Sequence, residues 1–334
     1  MRLVMMGTGT FAEPTFDALL AGPDPVVGLF TQPDREVGTR RGSTRQVGRG
    51  MKEIALEKGI PVLQPESVNT PEGIAMLADL KPDLLVVAAY GQILSKDVLR
   101  VPPLGGINVH ASLLPKYRGA APIAWAIYHD ERDSGVTIIR ISAALDAGEM
   151  LAQEATEIIP DETAGELEAR LAPMGAKLAM QTIERLKAGP VPGDKQDAAL
   201  VTKAPKLKKE DGLIDWSRSG TQVTRQIAAM QPWPTAYTFL HRQGKPPVRI
   251  MIARTGKMIG ASSGSSPPQP GLLWGGDGTA LYAFTGNSEA IQIVELQPAG
   301  KKRMFADEFL RGHPLKAGDH FGNETGVMPS RSSG

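Results

Sequence analysis

Over its first 188 positions the chain alternates short unbroken apolar runs with longer amphipathic stretches. The runs fall at 3–6, 26–30, 83–88 and 106–109, with a two-residue run at 62–63. A strand buried on both faces of a sheet needs no polar alternation, so these runs predict central parallel strands. Between them apolar residues recur at helical spacing: Phe16, Leu19 and Leu20 in one stretch, then 51–58, 72–80 and 120–129. Two further strands are expected at 135–141 and 151–158, and a long helix at 163–186 should close the region. Alternation of this kind predicts an α/β fold with a Rossmann-like parallel sheet over 1–188. Gly and Pro then break the helix, and the polar stretch 189–207 reads as a linker. From 208 the texture changes. One helix at 221–230 is followed by short segments at 236–240, 248–253, 281–284 and 290–296, punctuated by Gly and Pro between 260 and 271. Several short strands with turns predict a small OB-like β-barrel domain over 208–316. Residues 317–334 read as a disordered tail.

Composition adjusts this picture modestly. At 334 residues the chain exceeds one typical core, which agrees with two domains. With 41% hydrophobic and 22% charged residues it has the make-up of a soluble globular protein. No apolar run approaches the ~20 residues of a membrane span, and the first residues are too short and strand-like for a signal peptide, so no membrane partner is expected. Cysteine is absent, which excludes a disulfide framework and thiolate metal ligation and fits a cytoplasmic location. The net charge of +1 conceals an asymmetry. Residues 206–316 hold 15 Lys and Arg against 8 Asp and Glu, while the rest holds 22 against 28. A basic domain beside an acidic one suggests a polyanionic partner, or ordinary scatter of surface charge.

Three stretches carry candidate chemistry. Gly7-Thr8-Gly9-Thr10-Phe11-Ala12 follows a strand and opens a helix, as in the dinucleotide fingerprint, and Asp34 sits near the expected ribose-binding acid. A nicotinamide oxidoreductase is therefore one reading, and a tight structural turn is the other. Between Arg35 and Lys52 six basic residues face one acid without apolar periodicity. Arginine forks in a Gly-rich loop suit phosphates and unpaired bases, while a solvated loop is the plainer reading. The third stretch is the strand at 106–109. Asn108 and His110 lie two apart, so both project to one side at its end. A rigid strand end holding an amide and an imidazole side by side suits chemistry, while a polar strand end that happens to carry a histidine is the plainer reading. The remaining histidines show no metal spacing, and no metal is expected.

The string Asn-Val-His-Ala-Ser-Leu-Leu-Pro-Lys-Tyr-Arg-Gly-Ala-Ala-Pro over 108–122 resembles the signature of the folate-dependent formyltransferases. Supporting stretches are Phe-Thr-Gln-Pro-Asp-Arg at 30–35, Ala-Tyr-Gly-Gln-Ile-Leu at 89–94, Leu-Asp-Ala-Gly at 145–148, Ala-Pro-Lys-Leu at 204–207 and Trp-Pro at 233–234. The family often has Pro where this chain has Thr10. The resemblance implies a formyltransferase domain followed by an RNA-binding one. It implies catalysis by Asn108, His110 and Asp146, with Asp146 orienting the imidazole or accepting a proton. It implies a donor, 10-formyltetrahydrofolate, held by Tyr90, Gly91, Gln92 and Ile93 and by Ser112, Leu113, Leu114 and Pro115. The acceptor implied is the amino group of charged initiator tRNA, met by Arg40, Arg41 and Arg45 and by Lys206, Lys301, Lys302 and Arg303, with the enzyme a monomer. A small-molecule amine is the alternative acceptor, and a non-catalytic RNA-binding module is a further rival.

Overall fold

The computed structural model describes residues 1–34, 50–260, 268–275 and 280–325. Arg40, Arg41 and Arg45 lie outside the described residues. Two compact units divide the chain. The first is Met1–Ala126, Arg132–Ile158 and Gly165–Lys206; the second is Ile127–Glu131, Ile159–Ala164 and Leu207–Gly334.

In chain order the first part runs β1 (Leu3–Gly7), α1 (Glu13–Ala21), β2 (Val26–Phe30), α2 (Met51–Glu57), β3 (Val62–Leu63), α3 (Pro71–Asp79), β4 (Leu84–Ala88), α4 (Lys96–Arg100) and β5 (Gly106–His110). It continues through β6 (Arg118–Gly119), α5 (Pro122–Tyr128), β7 (Asp133–Arg140), β8 (Met150–Glu157), α6 (Ala164–Ala188) and β9 (Lys203–Ala204). The main sheet has the order β3-β2-β1-β4-β5-β7-β8. It is parallel from β3 to β5 and antiparallel where β7 and β8 extend it. The apolar runs of β1 and β4 are buried at every position, as their composition requires. One face packs Val4, Met6, Phe30, Leu85, Val87 and Tyr90 against Val68, Leu77 and Val98. Each such fully buried apolar side chain contributes about 1.5–3 kcal/mol. Helix starts follow local chemistry: the Thr70 hydroxyl accepts from the Gly73 N–H at 3.1 Å beside Pro71, and Ser95 caps α4 by accepting from Val98. Strand order reverses at β1 and β4, so the carboxyl ends of β1, β4 and β5 form the rim where open α/β sheets bind ligands.

Of the stretch 189–207, read from sequence as a linker, residues 189–206 belong to the first unit and Leu207 to the second. Asp194 exchanges backbone hydrogen bonds with Met150 at 2.9 Å each, and β9 pairs in parallel with β6. Its Pro and Gly residues hid these short pairings, which have no periodicity to detect.

The second unit holds α7 (Gly220–Ala229), β10 (Ala236–Arg242), β11 (Lys245–Ile259), β12 (Leu273–Gly275), β13 (Leu281–Phe284), β14 (Ala290–Pro298), β15 (Met304–Phe305), α8 (Ala306–Gly312) and β16 (His320–Gly322). Its sheet has the order β12-β13-β14-β11-β10-β16, antiparallel throughout, with β15 beside β14. Backbone bonds from Leu273 N–H to the Asp319 carbonyl (3.0 Å) and from Phe321 N–H to the Gly271 carbonyl (2.8 Å) bring the outer strands together, so the barrel is nearly closed. Buried Trp216 stacks on Phe321 at 5.4 Å and donates its indole N–H to Thr238 at 3.0 Å. The tail expected over 317–334 is corrected at its start: β16 pairs with β10 through Leu240↔Phe321, because Phe321 supplies a buried ring to the barrel. Residues 326–334 lie outside the described residues.

Candidate active site

β5 places the two central side chains. Val87↔Asn108 and Ala88↔Val109 pair it with β4 on one side, and Asn108↔Ile139 and His110↔Thr137 with β7 on the other. A strand held from both sides is a rigid mount for chemistry. Asp146 arrives from the turn between β7 and β8. Its Oδ1 accepts from Asn108 Nδ2 at 3.4 Å, and its Oδ2 lies 3.7 Å from His110 Nδ1. The side chains of His110 and Asp146 are only 6% and 10% exposed. Oδ2 also accepts the Gly119 N–H at 2.9 Å. The amide, the imidazole and the carboxylate expected from sequence therefore converge on one another.

Local backbone explains how the carboxylate reaches them. Asp146 has φ 49, a left-handed conformation that aspartate tolerates better than most residues. Gly148 follows, where a Cβ would fall 1.6 Å from the Arg140 carbonyl oxygen. The Arg140 N–H meanwhile donates to the Glu149 carbonyl at 2.9 Å, resuming the β7–β8 ladder beyond the turn. His110 Nε2 sits 3.0 Å from the Tyr117 carbonyl oxygen. A carbonyl can only accept, so Nε2 carries the hydrogen and Nδ1 faces the carboxylate.

The loop after β5 is fixed by its own polar groups. The Ser112 hydroxyl donates to the Lys116 carbonyl at 2.7 Å, while Thr137 donates to the Ser112 carbonyl and accepts from Leu114 N–H. Gln153 donates to the Leu114 carbonyl at 3.0 Å. Ser112 and Leu114 are buried; Leu113 and Pro115 are half-buried. At the end of β4 the Tyr90 ring lies in the core, and burial pushes its hydroxyl up to about 12. The Tyr90 carbonyl accepts from Gln32 at 2.8 Å. Gln92 accepts from Val68 N–H at 2.9 Å, and the Ile93 carbonyl accepts from Asn69. Gly91 and Ile93 are exposed at the rim.

Four residues that sequence reasoning did not assign a role complete the surroundings. Gln196 donates to the Asp146 and Gly148 carbonyls at 2.8 Å each and accepts two N–H groups of Arg118, at 3.0 and 2.7 Å. Thr202 accepts the Tyr117 and Arg118 N–H groups at 2.8 and 2.9 Å. Gly119, at φ 131, would set a Cβ 2.4 Å from the Ala204 carbonyl oxygen. No spacing in the chain signals these contacts, because they join segments from about 50 to 85 residues apart.

The basic candidates in the described part are all exposed. Lys206 ends the first unit. Lys301, Lys302 and Arg303 occupy the turn between β14 and β15, where the Lys301 carbonyl accepts from Gln297 and Arg303 pairs with Glu295.

Comparison with known proteins agrees with this geometry. The formyl transferase family model matches residues 1–183, and the formyl transferase C-terminal domain model matches 206–314. Methionyl-tRNA formyltransferase of Citrifermentans bemidjiense is 44% identical over 97% of this chain and 97% of its own length. The enzyme of the same name from Bacillus subtilis is 42% identical over 96% of this chain and 98% of its own length. Among solved structures, an N-formyltransferase from Helicobacter canadensis in complex with folinic acid and dTDP-3-aminofucose shares the fold, with a TM-score of 0.64 at 17% identity over 87% of this chain and 98% of that one. On both domains and on full-length identity, the chain belongs to the formyl transferase family.

Proposed function

We propose that this formyltransferase moves the formyl group of 10-formyltetrahydrofolate to the amino group of methionyl initiator tRNA. The convergence of Asn108, His110 and Asp146 at the rim of β5 supports the reaction class. The acceptor is drawn from the relatives named for it, which match the chain through both domains.

The chemistry follows from the donors present. The amine adds to the formyl carbon, forming a C–N bond as the carbonyl π electrons move onto oxygen. Asn108 has two amide N–H groups. One faces Asp146; the other donates to the growing oxyanion and cannot be lost to it as a proton. His110 takes the proton of the incoming ammonium at Nδ1, and the resulting imidazolium is held by Asp146. Collapse of the adduct breaks the bond from carbon to the folate nitrogen, which leaves with the proton that the His110 imidazolium gives up, directly or through water. Donors already in place act without reorganisation, and each typically contributes ~10²–10³ in rate. The rim loop 90–93 and the loop 112–115 offer the folate backbone groups and the half-buried Leu113 and Pro115.

The test is formylation of charged initiator tRNA in the presence of 10-formyltetrahydrofolate. N-formylmethionyl-tRNA is the expected product. Transfer to a free amino sugar or nucleotide amine, with none to the tRNA, would overturn the choice of acceptor.

A further inference from the structure

Asp146 is held from outside its own turn. It sits in a left-handed conformation on a turn, between Leu145 at 54% exposure and Ala147, with Gly148 next. What fastens this turn comes from far along the chain. Gln196 reaches back and donates both amide hydrogens, at 2.8 Å, to the carbonyls of Asp146 and Gly148. Its own oxygen is gripped by the Arg118 guanidinium through Nε and Nη2 at 3.0 and 2.7 Å. That two-pronged contact fixes which end of the Gln196 amide carries oxygen, since Arg118 can only donate. Arg118 lies next to Gly119, whose N–H binds the Asp146 carboxylate. The cycle closes through β6 and β9, with Arg118↔Lys203 and Gly119↔Ala204. Head and tail of Asp146 are thus held by the same two segments: its carboxylate by 119, its backbone by 196.

We propose that Gln196, oriented by Arg118, is a positioning residue for the catalytic carboxylate, and that the segment 194–204 is part of the active site. This rests on the reading of Asp146 as catalytic. Gln196 touches no reacting atom and acts only through where it puts Asp146. A displacement of about 1 Å at such a group can cost ~10² in rate.

The test is a double-mutant cycle on the full-length enzyme, with Gln196→Ala, Asp146→Asn and the pair, read as kcat and as KM for each substrate, alongside Tm. We expect Gln196→Ala to lower kcat by about 10–100-fold with both KM values nearly unchanged. In the Asp146→Asn background the same change should have little further effect, because the group it positions is already disabled. Gln196→Glu serves as the second variant. It keeps the side chain's size and its Arg118 partner but turns oxygen towards two carbonyls, so it should lose kcat like alanine while remaining folded. Full activity in Gln196→Ala or Gln196→Glu, or losses that multiply with Asp146→Asn, would overturn the inference while leaving Asp146 catalytic. Undiminished kcat in Asp146→Asn alone would instead overturn the reading of the site, and the inference with it.

Discussion

At the scale of single residues, the site separates groups that act from groups that support. Asn108→Ala removes the amide proposed to meet the oxyanion from a half-buried strand position, so kcat should fall ~10²–10³-fold while Tm stays nearly constant; steady-state kinetics and calorimetry check both. Tyr90 is the opposite case. Its hydroxyl is buried without a hydrogen-bond partner among the described residues, and burial raises it to about 12. The folded state keeps the proton where the unfolded state, titrating near 10, gives it up. Stability from this group is therefore full below pH 10 and lost as pH climbs towards 12. Tyr90→Phe should raise stability at neutral pH by about 1 kcal/mol, reduce the alkaline loss, and leave KM for the folate unchanged; urea melts at pH 7 and pH 11 test this. That Asn108 and His110 share a side was legible from their spacing on one strand end, but a role for them was legible only through the resemblance. Asp146 was legible only through resemblance, since no local rule brings a turn to a strand 38 positions away.

At the scale of elements, the strands written as unbroken apolar runs were readable and the pairings of two or three residues were not. β1 and β4 are buried throughout, as their composition requires, while β2 leaves Val26 and Val27 partly exposed and β5 leaves Asn108 so. The sequence reading placed only 248–253 of β11, because Lys-Pro-Pro at its start and Gly256 near its end look like turn residues, and shifts in register at Ile252, Arg254 and Thr255 break its alternation. β6 and β9 carry no pattern at all, yet they join the loop of Arg118 to the segment after α6. Gly119→Ala probes that junction. The new Cβ would overlap the Ala204 carbonyl and sit at a positive φ, costing about 1–3 kcal/mol and withdrawing an N–H from Asp146. A lower Tm together with a kcat loss larger than the stability loss explains is the expected outcome; a stability loss with full kcat would argue that the N–H does nothing for the carboxylate.

At the scale of the whole molecule, charge divides what the fold does not explain. Residues 206–316 carry the excess of Lys and Arg, and each phosphate they neutralise releases counterions on binding. KM for the tRNA should rise steeply with salt while kcat changes little, and replacing Lys301 or Lys302 by Ala should each lower the log–log slope by about one. Arg303→Ala should change the slope less, because Glu295 already pairs with that guanidinium. Formylation rates across a potassium chloride series measure all three. The order of the polypeptide has a last consequence. On leaving α6 the backbone passes beside Asp146 before it enters the second unit, so Ala188 ends the sheet-and-helix scaffold but not the proposed active site. A spacer spliced in at Gly193 would slacken the cord that steadies the carboxylate, whereas the same spacer after Lys206 would leave it taut.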